Sequence, residues 1–175
     1  MLEAIKNRRS IRFYRDTQVS DEQIQEVLKA GFCAPSAHNR CQWHAVVVRD
    51  QETKEKLTAV HKWAKIARKA PVVIVVCVER TGFDHFWIED GSAFTENMLI
   101  QATDMGLSTC WVGVQGLADE EYNAEAIVRD ALDLPEQMGV VNMVTLGYGA
   151  RFPQPREPKI PEGRLHYGKF GNFNP

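Results

Sequence analysis

The sequence predicts an α+β fold in a single domain. Apolar residues at helical spacing alternate along the chain with short β-branched runs, and neither a repeat nor a low-complexity linker divides them. A chain of 175 residues is long enough to bury one substantial core.

The elements can be read in order. A short amphipathic start (Leu2, Ile5) leads into Arg8-Arg9-Ser10-Ile11-Arg12. Ser20-Asp21-Glu22-Gln23 reads as a capping box, with Val19 and Ile24 as its hydrophobic staple. Ile24, Val27, Leu28 and Gly31 then form one helical face that ends before Pro35. Trp43 to Val48 reads as a strand, and Asp50 can cap a helix running through Leu57, Val60 and Ala64. Pro71 to Val78 is a continuous, largely β-branched run, the pattern of a strand buried on both faces. Asp90 to Met105 predicts a long helix with Phe94, Met98, Ala102 and Met105 along one side, stopped at Gly106. Leu107 to Val114 predicts another strand. Asp119 is placed to cap a helix that runs to Leu132 and stops before Pro135. Met138 to Leu146 is the last strand, ending in Gly147-Tyr148-Gly149. Four of the eight prolines fall between Arg151 and Pro161, so residues 151–175 are expected to run as an extended tail of the one domain, 1–175.

Composition narrows the function classes. The apolar fraction is 44% and the charged fraction 25%, ordinary for a globular protein. The net charge of −2 argues against a nucleic-acid binder, which carries a basic excess. The apolar run from Pro71 to Val78 is far too short to span a bilayer, and Glu3 interrupts any secretory signal. The four cysteines (Cys33, Cys41, Cys77, Cys110) have no disulfide or metal spacing, and Cys77 and Cys110 read as buried thiols of a cytoplasmic protein. The five histidines show neither metal spacing nor a nucleophile partner, so no metal ligand and no catalytic side chain is assigned. The sequence holds no GxGxxG and no P-loop.

The chemistry points to Arg8, Arg9, Ser10 and Arg12. Three guanidiniums and a hydroxyl within five residues suit a phosphate, because each guanidinium offers paired planar donors. Pro35-Ser36-Ala37-His38-Asn39 follows, and then Trp43 with its apolar strand. Arg-Arg-Ser-x-Arg, then Pro-Ser-x-x-Asn, then Trp and a strand resembles the FMN-dependent nitroreductase family.

That resemblance covers the chain from Ile5 to about Arg156 and implies a nitroreductase-like mixed sheet flanked by helices, with two flavin sites at a homodimer interface. Arg8, Arg9 and Ser10 would cradle the FMN phosphate, and Arg12 would reach the flavin edge where reduction places negative charge. Pro35, Ser36 and Asn39 would come from the second subunit. The family usually continues Asn-x-Gln-Pro-Trp; here Asn39-Arg40-Cys41-Gln42-Trp43 puts Cys and Gln at those positions, which removes the usual Gln contact. Asp90-Gly91 matches the family's central helix, whereas Asn97 reads equally as a satisfied buried amide and as a flavin contact. Gly113 would let backbone approach the ring, while Trp111 reads as core. Leu146 and Gly147 match the strand end beside the phosphate. Arg156 would complete the cradle, against the alternative of a surface arginine. Trp63 and the Phe83 to Trp87 stretch either wall the pocket or pack the dimer interface.

The implied activity is ping-pong transfer from NADH or NADPH through FMN to an electron-poor small molecule, such as a nitroaromatic or quinone. Enoyl reduction, reductive dehalogenation or flavin fragmentation on the same scaffold, and a non-enzymatic FMN-binding protein, remain as alternatives.

Overall fold

A computed structural model describes residues 1–80, 85–119, 122–154 and 157–175. The described elements run α1 (Glu3–Asn7), α2 (Asp21–Phe32), β1 (Trp43–Val48), α3 (Gln51–Leu57), β2 (Val72–Glu79), α4 (Trp87–Asp104), β3 (Ser108–Gly113), α5 (Ala124–Leu132) and β4 (Met138–Gly147), with 3₁₀ turns at Ala37–Asn39, Thr58–Val60 and Ala64–Lys69. The fold is α+β, as the sequence predicts.

The four strands form one sheet in the order β1-β2-β4-β3, and each neighbouring pair is antiparallel. The parallel element is confined to an isolated bridge between Ser10 and Thr109 on the outer edge of β3. β2 carries the double-faced burial that its composition requires. Val72, Ile74, Val76 and Val78 join a core with α2 and α4, built on Ile24, Val27, Phe94 and Met98. Val73, Val75 and Cys77 face the opposite way, into a core with Leu57, Val60, Ile66 and Val128. The sheet is therefore the middle of three layers.

β4 solves a local problem with a bulge. Val76 pairs with Asn142 but Cys77 pairs with Val140, so Val141 is the additional residue. Val141 joins the α4-side core, and Asn142 Nδ2 donates to Thr95 Oγ1 of α4 at 2.9 Å. Two successive residues thus face the same helix, and the fully buried Asn142 finds a partner. At this place α4 lies against the sheet so closely that a Cβ on Gly91 would sit 2.4 Å from Val141 Cγ2.

The helix signals are realised with two exceptions. Ser20 Oγ and the Gln23 side chain form the capping box, and Asp50 Oδ1 accepts Thr53 N–H at 2.8 Å. Gly106, at φ +73, ends the α4 turn as expected. The helix capped by Asp50 stops at Leu57, however, because His61 is extended and the chain then folds back to bury Ala64, Ile66 and Ala67. The cap of α5 is Asn123, whose Oδ1 accepts Ala126 N–H at 3.1 Å; Asp119 N–H instead donates to Tyr122 O, placing Asp119 in the preceding turn. The described residues of the tail carry no helix or strand, and none of the described helices is long and apolar enough to cross a membrane.

Cys77 and Cys110 are buried, whereas Cys33 and Cys41 are exposed. Burial pushes the Cys77 thiol up to about 12, and burial also raises Cys110, with Arg12 opposing the rise. A raised thiol value keeps the sulfur protonated and unreactive at neutral pH. An Ellman titration at pH 8 should therefore report two thiols in the native protein and four in denaturant; more than two in the native protein would contradict the burial.

Candidate active site

The arginine cluster begins where α1 ends. Arg8 N–H closes the helix on Ala4 O, and Arg8 Nε lies 3.6 Å from Glu96 Oε1 on α4. The next residues run along the free edge of β3, with Ile11 N–H donating to Thr109 O at 2.8 Å. Half-buried Tyr14 pins the far end: its hydroxyl lies 2.7 Å from Thr145 Oγ1 and 3.0 Å from Ile11 O, and desolvation drives its phenol well above the ordinary range.

Arg8, Arg9, Ser10 and Arg12 line one cavity of about 500 Å³, together with Phe13, Arg151 and Phe152. Arg9 Nη1 donates to Gln154 O and thereby ties the tail to the cradle. Arg151 lies over the Phe13 ring at 4.8 Å. Four guanidiniums face a single nearby carboxylate, Glu96, among the described residues. That donor set fits a phosphate dianion.

Arg12 also lines a second cavity of about 390 Å³, walled by His61, Trp63, Ile66, Trp111, Val112 and Gly113. Trp111 is 37% exposed, so its indole faces this space rather than the core, contrary to the sequence expectation. A Cβ on Gly113 would meet nothing within 4 Å. Two indoles, an isoleucine and an open stretch of strand fit a planar ring. His61 fixes one wall: Trp63 N–H donates to its Nδ1 at 3.1 Å, so in the neutral ring Nε2 carries the proton and donates to Gly113 O at 3.1 Å.

The other sequence-chosen residues lie apart from these cavities. Pro35, Ser36 and Asn39 belong to a loop at the start of β1, at the opposite end and opposite edge of the sheet. That loop is clamped to α4: Asp90 Oδ1 accepts Ala37 N–H at 2.9 Å, and the Asp90 carbonyl accepts Trp43 Nε1–H at 3.0 Å. Ser36 Oγ closes it by accepting Cys41 N–H at 2.9 Å, while His38, Asn39 and Cys41 all adopt positive φ. Leu146 is fully buried in the α2–α4 core, and Gly147 packs on Pro71 and Tyr14; both support the cradle from behind. Asn97 donates to Ala30 O and joins α4 to α2, which is the structural one of its two readings. Trp87 begins α4 and packs beneath Arg80 and against Gly139, away from Trp63. Arg156 and Phe83 lie outside the described residues. Sequence reasoning did not single out Arg151 or His61. Arg151 stands just past the Gly147-Tyr148-Gly149 turn, which was the available signal; His61 had none.

The nitroreductase family model matches residues 5–63 and 58–148. A Methanothermobacter thermautotrophicus protein provisionally named NADH dehydrogenase/NAD(P)H nitroreductase is 37% identical over 172 residues, covering 97% of this chain and 87% of that protein. An FMN-dependent nitroreductase from Clostridium difficile superposes with a TM-score of 0.91 at 28% identity, covering 97% of this chain and all of the other. A provisionally named nitroreductase from Desulfovibrio desulfuricans, solved in complex with FMN, gives a TM-score of 0.77 at 32% identity, covering 89% and 90% of the two chains. The chain belongs to the nitroreductase family.

His61→Leu deletes both bonds of the clamp and should cost about 1–3 kcal/mol in urea denaturation. His61→Asn, which keeps an acceptor near the Nδ1 position, should recover part of that loss. Unchanged stability of the Leu variant would remove the clamp.

Proposed function

We propose that this chain is an FMN-dependent oxidoreductase that takes reducing equivalents from NADH or NADPH and delivers them to an electron-poor small molecule, a nitroaromatic, quinone or similar acceptor. One observation carries the reading: the arginine cavity and the indole-walled cavity meet at Arg12. A phosphate site joined to a planar slot through a shared cation matches the two ends of FMN. The family and its FMN-bound member support the same cofactor.

Arg8, Arg9, Ser10 and Arg151 would hold the phosphate, with Arg156 as a further candidate. Arg12 supplies positive charge where the two cavities join, where it can stabilise negative charge on a ring edge. Gly113 leaves the strand open to close approach, and Trp63, Trp111 and Ile66 shield the slot from water. When bound, FMN supplies the redox chemistry by accepting hydride from the nicotinamide and passing electrons on to the acceptor. No side chain need act as a nucleophile.

The reading includes a homodimer. The Pro35, Ser36 and Asn39 loop lies across the sheet from the cradle, three strand intervals or roughly 14 Å away before their opposite ends are counted. A second copy is the simplest way to bring that loop to a flavin. The tail adds a further reason, since Ile160 is 70% exposed and Phe170 93% exposed. A cytoplasmic setting is part of the proposal and rests on four free thiols.

The test is an anaerobic visible spectrum of the purified protein. Flavin bands that bleach with NADH or NADPH are the expected result and identify the donor; no bands after reconstitution with FMN would overturn the reading. Arg8→Ala should weaken FMN by about 1.5–3 kcal/mol, the range of a charge-assisted bond, in a titration of the apoprotein. Trp63→Ala should shift acceptor preference with FMN still bound; unchanged acceptor kinetics in the FMN-loaded variant would move Trp63 out of the pocket wall.

A further inference from the structure

A third cavity, of about 520 Å³, lies at the same end of the sheet as the cradle but over β1 and β2. Arg15, Arg49, Lys54, Arg68 and Lys69 line it, against one carboxylate, Asp16. The segment that feeds the cradle also feeds this cavity. Phe13 belongs to the cradle, whereas Tyr14, Arg15 and Asp16 line the other side. Backbone bonds from Arg15 N–H to Tyr148 O and from Ala150 N–H to Phe13 O, both 2.8 Å, hold that division in place.

Lys54 is the unusual member. It is only 6% exposed, on a helix whose other buried residue is the apolar Leu57. Its ammonium donates to Ala70 O at 2.9 Å, and no carboxylate lies within 4 Å among the described residues. Burial lowers its pKa, with Asp50 one turn back opposing the shift. An ammonium has three donors, so one carbonyl does not satisfy it, and a desolvated cation without a counter-charge is costly. Arg49 and Arg68 are each held in position by a carboxylate from outside the cavity, Asp21 at 2.7 Å and Glu55 at 3.2 Å. Arg15 and Lys69 stand on the rim with no ion pair among the described residues.

We propose that this cavity binds the phosphoryl group of a small anionic ligand, with Lys54 as its buried anchor and Arg15 and Lys69 closing on it from the rim. The site is separate from the FMN cradle and does not depend on it. Lys54 supplies a partly desolvated charge, the arginines supply paired planar donors, and the arriving anion supplies the missing counter-charge. Two sources share this chemistry, the 2′-phosphate of NADPH and a free phosphorylated metabolite.

The test is calorimetric titration of inorganic pyrophosphate into the FMN-saturated protein, so that the cradle is already filled. Saturable binding is expected, weakened roughly tenfold to hundredfold by Lys54→Met, the loss of one charge-assisted bond. Arg15→Ala, an exposed change that leaves the fold intact, should weaken it in the same direction. Arg8→Ala, likewise saturated with FMN, should leave pyrophosphate binding unchanged. Absence of saturable binding, binding by both Lys54→Met and Arg15→Ala as tight as that of the unsubstituted protein, or loss of binding in FMN-saturated Arg8→Ala would each overturn the proposal. The source follows from steady-state kinetics of the Arg15→Ala variant. A rise in KM for NADPH but not for NADH assigns the site to the 2′-phosphate, and equal effects on both donors, with pyrophosphate binding weakened, assign it to a free phosphorylated ligand.

Discussion

The structure depends on burying β2 from both sides. Val72 through Val78 have no solvent face, so the strand cannot be stable until helices cover the sheet above and below. That requirement sets the layer order. α2 and α4 cover one face, α3, α5 and the Ala64–Lys69 turn cover the other, and β4 shares the centre because it too is almost wholly buried. The edges are then left to β1 and β3. Polar chemistry has to collect at these edges and at the strand ends, where backbone groups and charged side chains reach water.

Both candidate segments obey this constraint. The arginine segment caps the open edge of β3, and the Ser36 loop enters β1 at the far edge. Their separation follows from sheet order, since two buried strands stand between them. The loop is also held in a costly backbone state. Three of its non-glycine residues adopt positive φ, a conformation that carries a penalty of about 1–3 kcal/mol each. Asp90 restrains that backbone from α4 and Ser36 restrains it from within, so the loop is ordered in the single chain. Pre-ordering lowers the entropy lost on association.

Much of the fold was legible because the signals are local. A capping box, an Asp cap, a β-branched run and a glycine after a helix each act within a few residues, and each appears where the sequence places it. The misread features depend on distant partners. The helix after Asp50 is cut short because His61 reaches Gly113, 52 residues away in the chain. Trp111 looks like core by composition, but its register on an edge strand turns it outward. The α5 cap shifts from Asp119 to Asn123 because a turn consumes Asp119 first. The candidate site divides in the same way. The arginine cluster is contiguous and readable, whereas Arg151 and His61 join it only through sheet closure.

Charge distribution explains how one short segment can serve two cavities. The chain is net −2, yet Arg8, Arg9, Arg12 and Arg15 fall within eight residues. The backbone divides them between the two cavities: Arg8, Arg9 and Arg12 line the cradle with Arg151, and Arg15 lines the other cavity, which limits the mutual repulsion in each. The cost of the remaining cluster is eased by Glu96, by the Gln154 carbonyl and by the Phe13 face beneath Arg151. None of these neutralises the cradle. It keeps a surplus of donors with Glu96 as the one paired carboxylate among the described residues, so an anion entering it need not displace a network of internal salt bridges. Tyr14 makes the arrangement rigid. Its hydroxyl, bonded to Thr145 and Ile11, ties the arginine segment to β4 in the buried centre of the sheet, so the constraint that organises the core also positions the segment that carries the guanidiniums.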